Sequence, residues 1–191
     1  MRDIVLSGIC KSFGETEVLS GLSAIFPAGK TGCVTAPSGI GKTTLLRILM
    51  GLEVADSGSI LGLENVAVSA VFQEDRLCEN MTASDNIKLV SPKLNDDEIS
   101  AAMQSAGLID CEKRIVSELS GGMRRRVAIL RAVLFEADLY LLDEPFKGLD
   151  ADTKSDVISF IKRKLFGKTV ILVTHDPEEA KQMNCQYEIK L

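Results

Sequence analysis

Thr31-Gly32-Cys33-Val34-Thr35-Ala36-Pro37-Ser38-Gly39-Ile40-Gly41-Lys42-Thr43-Thr44-Leu45-Leu46 decides the fold of this chain. Five residues of strand character, Thr31 to Thr35, run into a glycine-bearing loop. A helix follows from Lys42 to about Leu52, with Leu45, Leu46, Leu49 and Leu52 at helical spacing and Gly51 near its end. A loop of this kind gathers backbone N–H groups and the positive end of a helix dipole at one point, which suits an anion. Lys42 adds a charge able to reach β- and γ-phosphates, and the Thr43 hydroxyl is placed to hold Mg²⁺. Ala36 stands where the first glycine of G-x-x-x-x-G-K-[ST] is expected; alanine is tolerated there if its φ is negative.

Further along, Leu139-Tyr140-Leu141-Leu142 is a buried apolar strand that delivers Asp143 and Glu144. Alternation along a strand sends the two carboxylates in different directions. Asp143 is therefore assigned to the metal and Glu144 to polarising an attacking water. His175, the single histidine, follows the strand Thr169 to Thr174, at the end where parallel sheets place their ligands. It is expected to sense the γ-phosphate.

Composition narrows the class. The chain has 191 residues, 46% hydrophobic and 26% charged, which suits one well-buried core with a small lobe attached. A net charge of −5 argues against a surface built for nucleic acid. Cys10, Cys33, Cys78, Cys111 and Cys185 lack paired or zinc-like spacing, which fits reduced thiols in the cytosol. No stretch approaches the roughly 18 apolar residues of a membrane span, and the start lacks the long apolar segment of a signal peptide. A cytoplasmic protein is expected.

The pattern around these motifs is mixed. Ile4–Leu6, Glu17–Leu19 and Leu22–Phe26 read as short strands separated by Gly14, Gly21 and Pro27-Ala28-Gly29. Ser57-Gly58-Ser59-Ile60 reads as a turn entering a strand. Val66 to Gln73 reads as a strand with Val66, Val68, Ala70 and Phe72 on one face. From about residue 75 to 134 the pattern turns helical. Asn95 with Glu98 forms a capping box for a helix that Gly107 ends, and a helix beginning at Ser120 carries Val127, Leu130 and Leu134 on one face. Asp152 to Leu165 is an amphipathic helix stopped by Gly167. Strands alternating with helices imply an α/β fold with a mainly parallel sheet covered on both faces, into which residues 75–134 insert a helical lobe. The whole of 1–191 reads as one domain.

With Leu119-Ser120-Gly121-Gly122-Met123 added to the phosphate loop and the acidic pair, the chain resembles the ATP-binding subunit of ABC transporters over almost its whole length. Arg126, Arg131 and Ala132 continue that family's signature, and Gln73 matches the glutamine linking core to helical lobe. Phe146-Lys147-Gly148-Leu149-Asp150 matches the loop that crosses to a second subunit. The resemblance implies a P-loop NTPase core with a mainly parallel sheet, an N-terminal antiparallel β subdomain and an inserted helical subdomain, with ATP and Mg²⁺ as cofactors and ATP hydrolysis as the activity. ATP is expected to contact Phe13 through adenine stacking, then Pro37, Ser38, Gly39, Ile40, Gly41, Lys42, Thr43 and Thr44. Ser120, Gly121, Gly122 and Asp150 of a second copy complete its cradle in a head-to-tail dimer. The metal is expected on Thr43, Gln73 and Asp143, and catalysis on Glu144, His175 and Gln73.

The resemblance also implies an integral-membrane permease as partner, contacted around residues 74–81, and it allows a substrate-binding protein. The ATPase is then peripheral on the inner face of the membrane, most readily in an importer. Met123 replaces the signature's usual glutamine, with a modest effect on turnover expected. Arg124, Arg125 and Arg126 read as a solvated or ion-paired helix face. Little chain follows His175, so the regulatory C-terminal domain of some members is not expected. The alternatives use the same engine without transport, in a cell-division adaptor or a DNA-repair ATPase. Only a short helical lobe separates Gln73 from Ser120, which disfavours the coiled-coil repair type. The pairing of Glu144 with His175 disfavours an inactive scaffold.

Overall fold

A computed structural model describes residues 1–36 and 40–191. In chain order it has β1 (Ile4–Phe13), β2 (Thr16–Phe26), β3 (Thr31–Thr35), α1 (Lys42–Leu49), β4 (Ser57–Leu61) and β5 (Val68–Val71). Three helices follow: α2 (Ala83–Lys88), α3 (Asp96–Ser105) and α4 (Gly121–Leu134). The chain closes with β6 (Leu139–Asp143), α5 (Ala151–Lys164), β7 (Thr169–Val173), α6 (Pro177–Gln182) and β8 (Glu188–Lys190). It divides into two compact units. One comprises Met1–Val68, Ala137–Asp143 and Gly167–Leu191; the other comprises Ser69–Glu136 and Glu144–Phe166.

In the first unit, β1 pairs antiparallel with β2 and with β4, giving a three-stranded sheet of order β2-β1-β4. Glu17–Leu19 and Leu22–Phe26, expected as separate strands, form one. Gly21 lies inside β2 with φ 64, and the β1–β2 register shifts nearby. Here a left-handed glycine bulges the ladder and does not end it. Ser57 to Ile60 likewise belongs to the strand itself.

The second sheet is parallel, order β5-β6-β7-β3-β8. On its β5 side, the Asp138 and Leu139 N–H groups donate to the Ala67 carbonyl, just ahead of β5. β6 and β7 are buried along their whole length, as strands covered on both faces should be. The short β8 was not foreseen. It docks on β3 because Tyr187, just ahead of it, lays its ring on Gly32: a Cβ built there would stand 2.0 Å from the Tyr187 Cζ. The ring also meets Phe26 edge-on at 6.4 Å.

The second unit is helical apart from β5, and each of its main helices starts on a side-chain cap. Thr82 accepts from the Asp85 N–H, Ser120 from Met123 and Asp150 from Thr153. Asn95 and Glu98 exchange both bonds of a capping box at 2.9 Å each. Gly107, at φ 68, follows the end of α3. The unforeseen α2 is held by Asn86, wholly buried: its Oδ1 accepts from the Cys78 N–H, and its Nδ2 donates to the Cys78 and Thr82 carbonyls. The buried side chains of β5 are Ser69 and Val71, not the apolar set that alternation suggested. Ser69 is accommodated because its hydroxyl donates to the Ala132 carbonyl at 2.7 Å. No helix among the described residues is long and apolar enough to cross a membrane.

Gly32→Ala drives a methyl group into the Tyr187 ring, and overpacking of this kind costs about 1–3 kcal/mol. The urea midpoint should fall accordingly; an unchanged midpoint would show that the ring shifts freely.

Candidate functional site

In the first unit, register brings three strand ends level. Asp143 pairs with Val173 and Val173 with Val34, so the carboxyl ends of β6, β7 and β3 are level. Whatever leaves these strands leaves one edge, where open α/β sheets hold ligands. From β3 leaves the phosphate loop, from β6 the carboxylate of Asp143 at its tip, and from β7 the turn bearing His175.

Gly41 ends the loop at φ 67 as the N-cap of α1. A Cβ there would lie 2.7 Å from both the Val18 carbonyl oxygen and Leu19 Cδ2, so glycine is required by backbone and packing together. Among the described residues no side chain caps α1, and no acid lies in its first turn, which suits the start of the helix to an external anion. Lys42 is buried, and its Nζ donates to the Ala36 carbonyl at 2.7 Å. Ala36 itself is not among the residues with positive φ, so alanine fits where glycine was expected. Thr44 is half-buried and Ile40 exposed on the same turn. Pro37, Ser38 and Gly39 lie outside the described residues.

The Thr43 hydroxyl donates to Asp143 Oδ2 at 3.0 Å, and Asp143 is 5% exposed. A hydroxyl and a buried carboxylate so close are hard oxygen donors of the kind magnesium takes alongside phosphate and water. Among the described residues no group of three His, Cys, Asp or Glu side chains could hold a metal by itself. The pair therefore fits a metal that phosphates help to hold, and not a self-sufficient protein cage.

His175 is exposed, and its turn is fixed by neighbours that sequence reasoning missed. Thr174, 1% exposed, donates from Oγ1 to Glu179 Oε2 at 2.5 Å and accepts from the Asp176 N–H at 3.1 Å. A buried Thr and Glu five apart carry no motif, so nothing in the sequence marked them. Phe13, at the end of β1, is 49% exposed, with Lys11 Nζ 5.2 Å from its ring centroid.

The second unit carries the other candidates. Gln73 is exposed just beyond β5. Glu144 lies one residue past the end of β6 with φ 44, so a left-handed turn and not strand alternation sets its direction. Lys147 Nζ lies 3.6 Å from Glu144 Oε2. Ser120 caps α4, accepting at Oγ from the Met123 N–H at 3.3 Å. Gly121 has open space where a Cβ would project, and at Gly122 the nearest atom, in Leu149, would be 3.8 Å away. The chain's own packing demands glycine at neither. Asp150 caps α5, and the hydrogen bond from Thr153 N–H holds its carboxyl below the usual aspartate range.

Arg125 departs from expectation. It is 5% exposed, not on a solvated face. Its Nε donates to the Pro145 carbonyl and Nη2 to that of Glu144, each at 2.8 Å; Nη1 donates to the Phe72 carbonyl at 2.6 Å and meets Asp75 Oδ1 at 3.1 Å. The available signal was helical spacing: Arg125 stands one turn ahead of Ile129, on the stripe that continues to Val133. Arg126 turns elsewhere, donating to the Ala106, Gly107 and Gly122 carbonyls.

Known proteins resemble this chain in sequence and in fold. A family model described as ABC transporter matches residues 19–147. The aliphatic sulfonates import ATP-binding protein SsuB 2 of Agrobacterium fabrum is 40% identical over 181 residues, covering 91% of this chain and 70% of that protein. The sulfate/thiosulfate import ATP-binding protein CysA of Vibrio vulnificus is 36% identical over 199 residues, covering 93% of this chain and 57% of that protein. The spermidine/putrescine import ATP-binding protein PotA of Bacteroides fragilis is 36% identical, and the chain spans 42% of its length. A bacterial Atm1-family ABC exporter with ATP bound superposes on all of this chain with a TM-score of 0.89, over 37% of the exporter chain and at 24% identity, which supports the same fold. The matched family model, together with a relative 40% identical over 70% of its own length, places this chain in the ABC transporter family.

Proposed function

We propose that this chain is the ATP-hydrolysing subunit of an importer, acting on a separate membrane permease. The observation that carries the reading is the Thr43–Asp143 bond at 3.0 Å beside the uncapped start of α1. Support for import comes from the relatives, whose names describe import ATP-binding proteins for sulfonates, sulfate and polyamines. Those names favour transport over the adaptor and DNA-repair alternatives.

In this reading, Gly41, Lys42, Thr43 and Thr44 hold the phosphates together with the loop ahead of them, and Phe13 stacks on the adenine. Thr43, Asp143 and Gln73 hold magnesium, whose charge neutralises the triphosphate. Glu144 orients and deprotonates the attacking water, and His175 contacts the γ-phosphate. Ser120, Gly121, Gly122 and Asp150 serve the nucleotide of a second copy. The open space over Gly121 supports this, since an external group can approach the backbone there. Residues 74–81 face the permease, which holds the protein at the inner face of the membrane. Closure of two copies on ATP and their reopening after hydrolysis drive the permease.

Lys42→Ala should weaken ATP binding by at least about tenfold in calorimetry, because a charge-assisted phosphate contact is lost; unchanged affinity would contradict the assigned grip. Glu144→Gln should slow hydrolysis by about 10²–10⁴-fold with ATP affinity retained. With ATP, the same variant should elute as a dimer in size-exclusion chromatography. Turnover at the wild-type rate would remove Glu144 from the chemistry.

A further inference from the structure

Four carbonyls and one carboxylate converge on the buried guanidinium of Arg125. They come from two segments far apart in sequence. Phe72 and Asp75 flank Gln73, whose own carbonyl lies 3.4 Å from Nη1; Glu144 and Pro145 form the other segment. A guanidinium presents its N–H groups in a rigid plane, so segments bonded to its two edges are held at a fixed separation.

Glu144 needs such a restraint. A non-glycine residue at φ 44 is uncommon and costs about 1–3 kcal/mol unless its surroundings impose it. The Nη2 bond to the Glu144 carbonyl and the Nε bond to the Pro145 carbonyl hold the two successive peptides that follow this strained residue. Arg131 bears on the first segment alone, donating to the Asp75 and Arg76 carbonyls at 3.0 and 2.8 Å. Arg125 bonds to both segments.

We infer that Arg125 is a positioning residue for hydrolysis: one side chain sets the backbone of Gln73 and that of Glu144 against each other, and so the aim of both side chains at the water. The inference rests on the roles proposed above for Gln73 and Glu144. Lysine keeps the charge but is a point donor and cannot span the two segments.

The test uses the purified full chain with Arg125→Lys, alone and combined with Glu144→Gln. Cooperative thermal melting is the check on folding, and Arg125→Gln takes its place if the lysine variant does not melt cooperatively. The expected result is a fall in kcat of about 10–100-fold with KM for ATP within about twofold, because misplacement acts on the transition state. In the Glu144→Gln background the same substitution should lower the residual rate by less than about twofold, since groups acting as a unit are not additive. A folded variant with wild-type kcat, a matching rise in KM, or an undiminished further loss in the double variant would overturn the inference. If Glu144→Gln alone turns over at the wild-type rate, the reading of Glu144 fails first, and this inference falls with it. If Glu144→Gln is slow and Arg125→Lys is not, only the inference fails.

Discussion

The hydrogen bond from Thr43 to the buried carboxylate of Asp143 joins the first turn of α1 to the tip of β6. It can form only because three strands end level with one another. A slip of one residue in the β6–β7 register would turn Asp143 to the opposite face of the sheet. Both strands are buried along their whole length, so such a slip would leave the Asp143 carboxylate buried away from the Thr43 hydroxyl. Packing of the sheet thus determines where a hydroxyl and a carboxylate meet.

A second constraint operates within the helical unit. There, a single buried cation gathers main-chain carbonyls from two segments of the chain. Burying an arginine is costly unless its donors are met, and these carbonyls with the Asp75 carboxylate meet them. The helix that carries Arg125 also begins at Ser120. The capped start of α4, the segment bearing Gln73 and the turn bearing Glu144 are therefore tied to one helix. This gives a physical route by which a contact made at Ser120 can be felt at the proposed catalytic carboxylate.

Much of this was legible beforehand, for definite reasons. Strand, glycine loop and helix around Lys42 are local and strongly patterned, so β3 and α1 emerge within a few residues of expectation. The capping box at Asn95 and Glu98 is complete within four residues, and it forms. What was hidden depends on distant partners. Gly21 looked like a break because bulging and ending a strand use the same residue. Ser69 looked like the exposed side of β5 because its acceptor, the Ala132 carbonyl, lies 63 residues away. Arg125 looked like a surface charge because only the fold brings carbonyls from residues 72 and 144 to it. β8 is short and half-exposed, and the ring of Tyr187 against Gly32, not strand propensity, holds it in place.

The central claim is that Thr43 and Asp143 together form the metal end of a nucleotide site. The most direct test is calorimetry of ATP binding with magnesium and with EDTA, comparing the unmodified chain with Asp143→Asn. The account predicts that magnesium tightens ATP binding to the unmodified chain and that Asp143→Asn abolishes most of that gain, while magnesium-free affinity stays the same or rises. An equal magnesium gain in both proteins would contradict it.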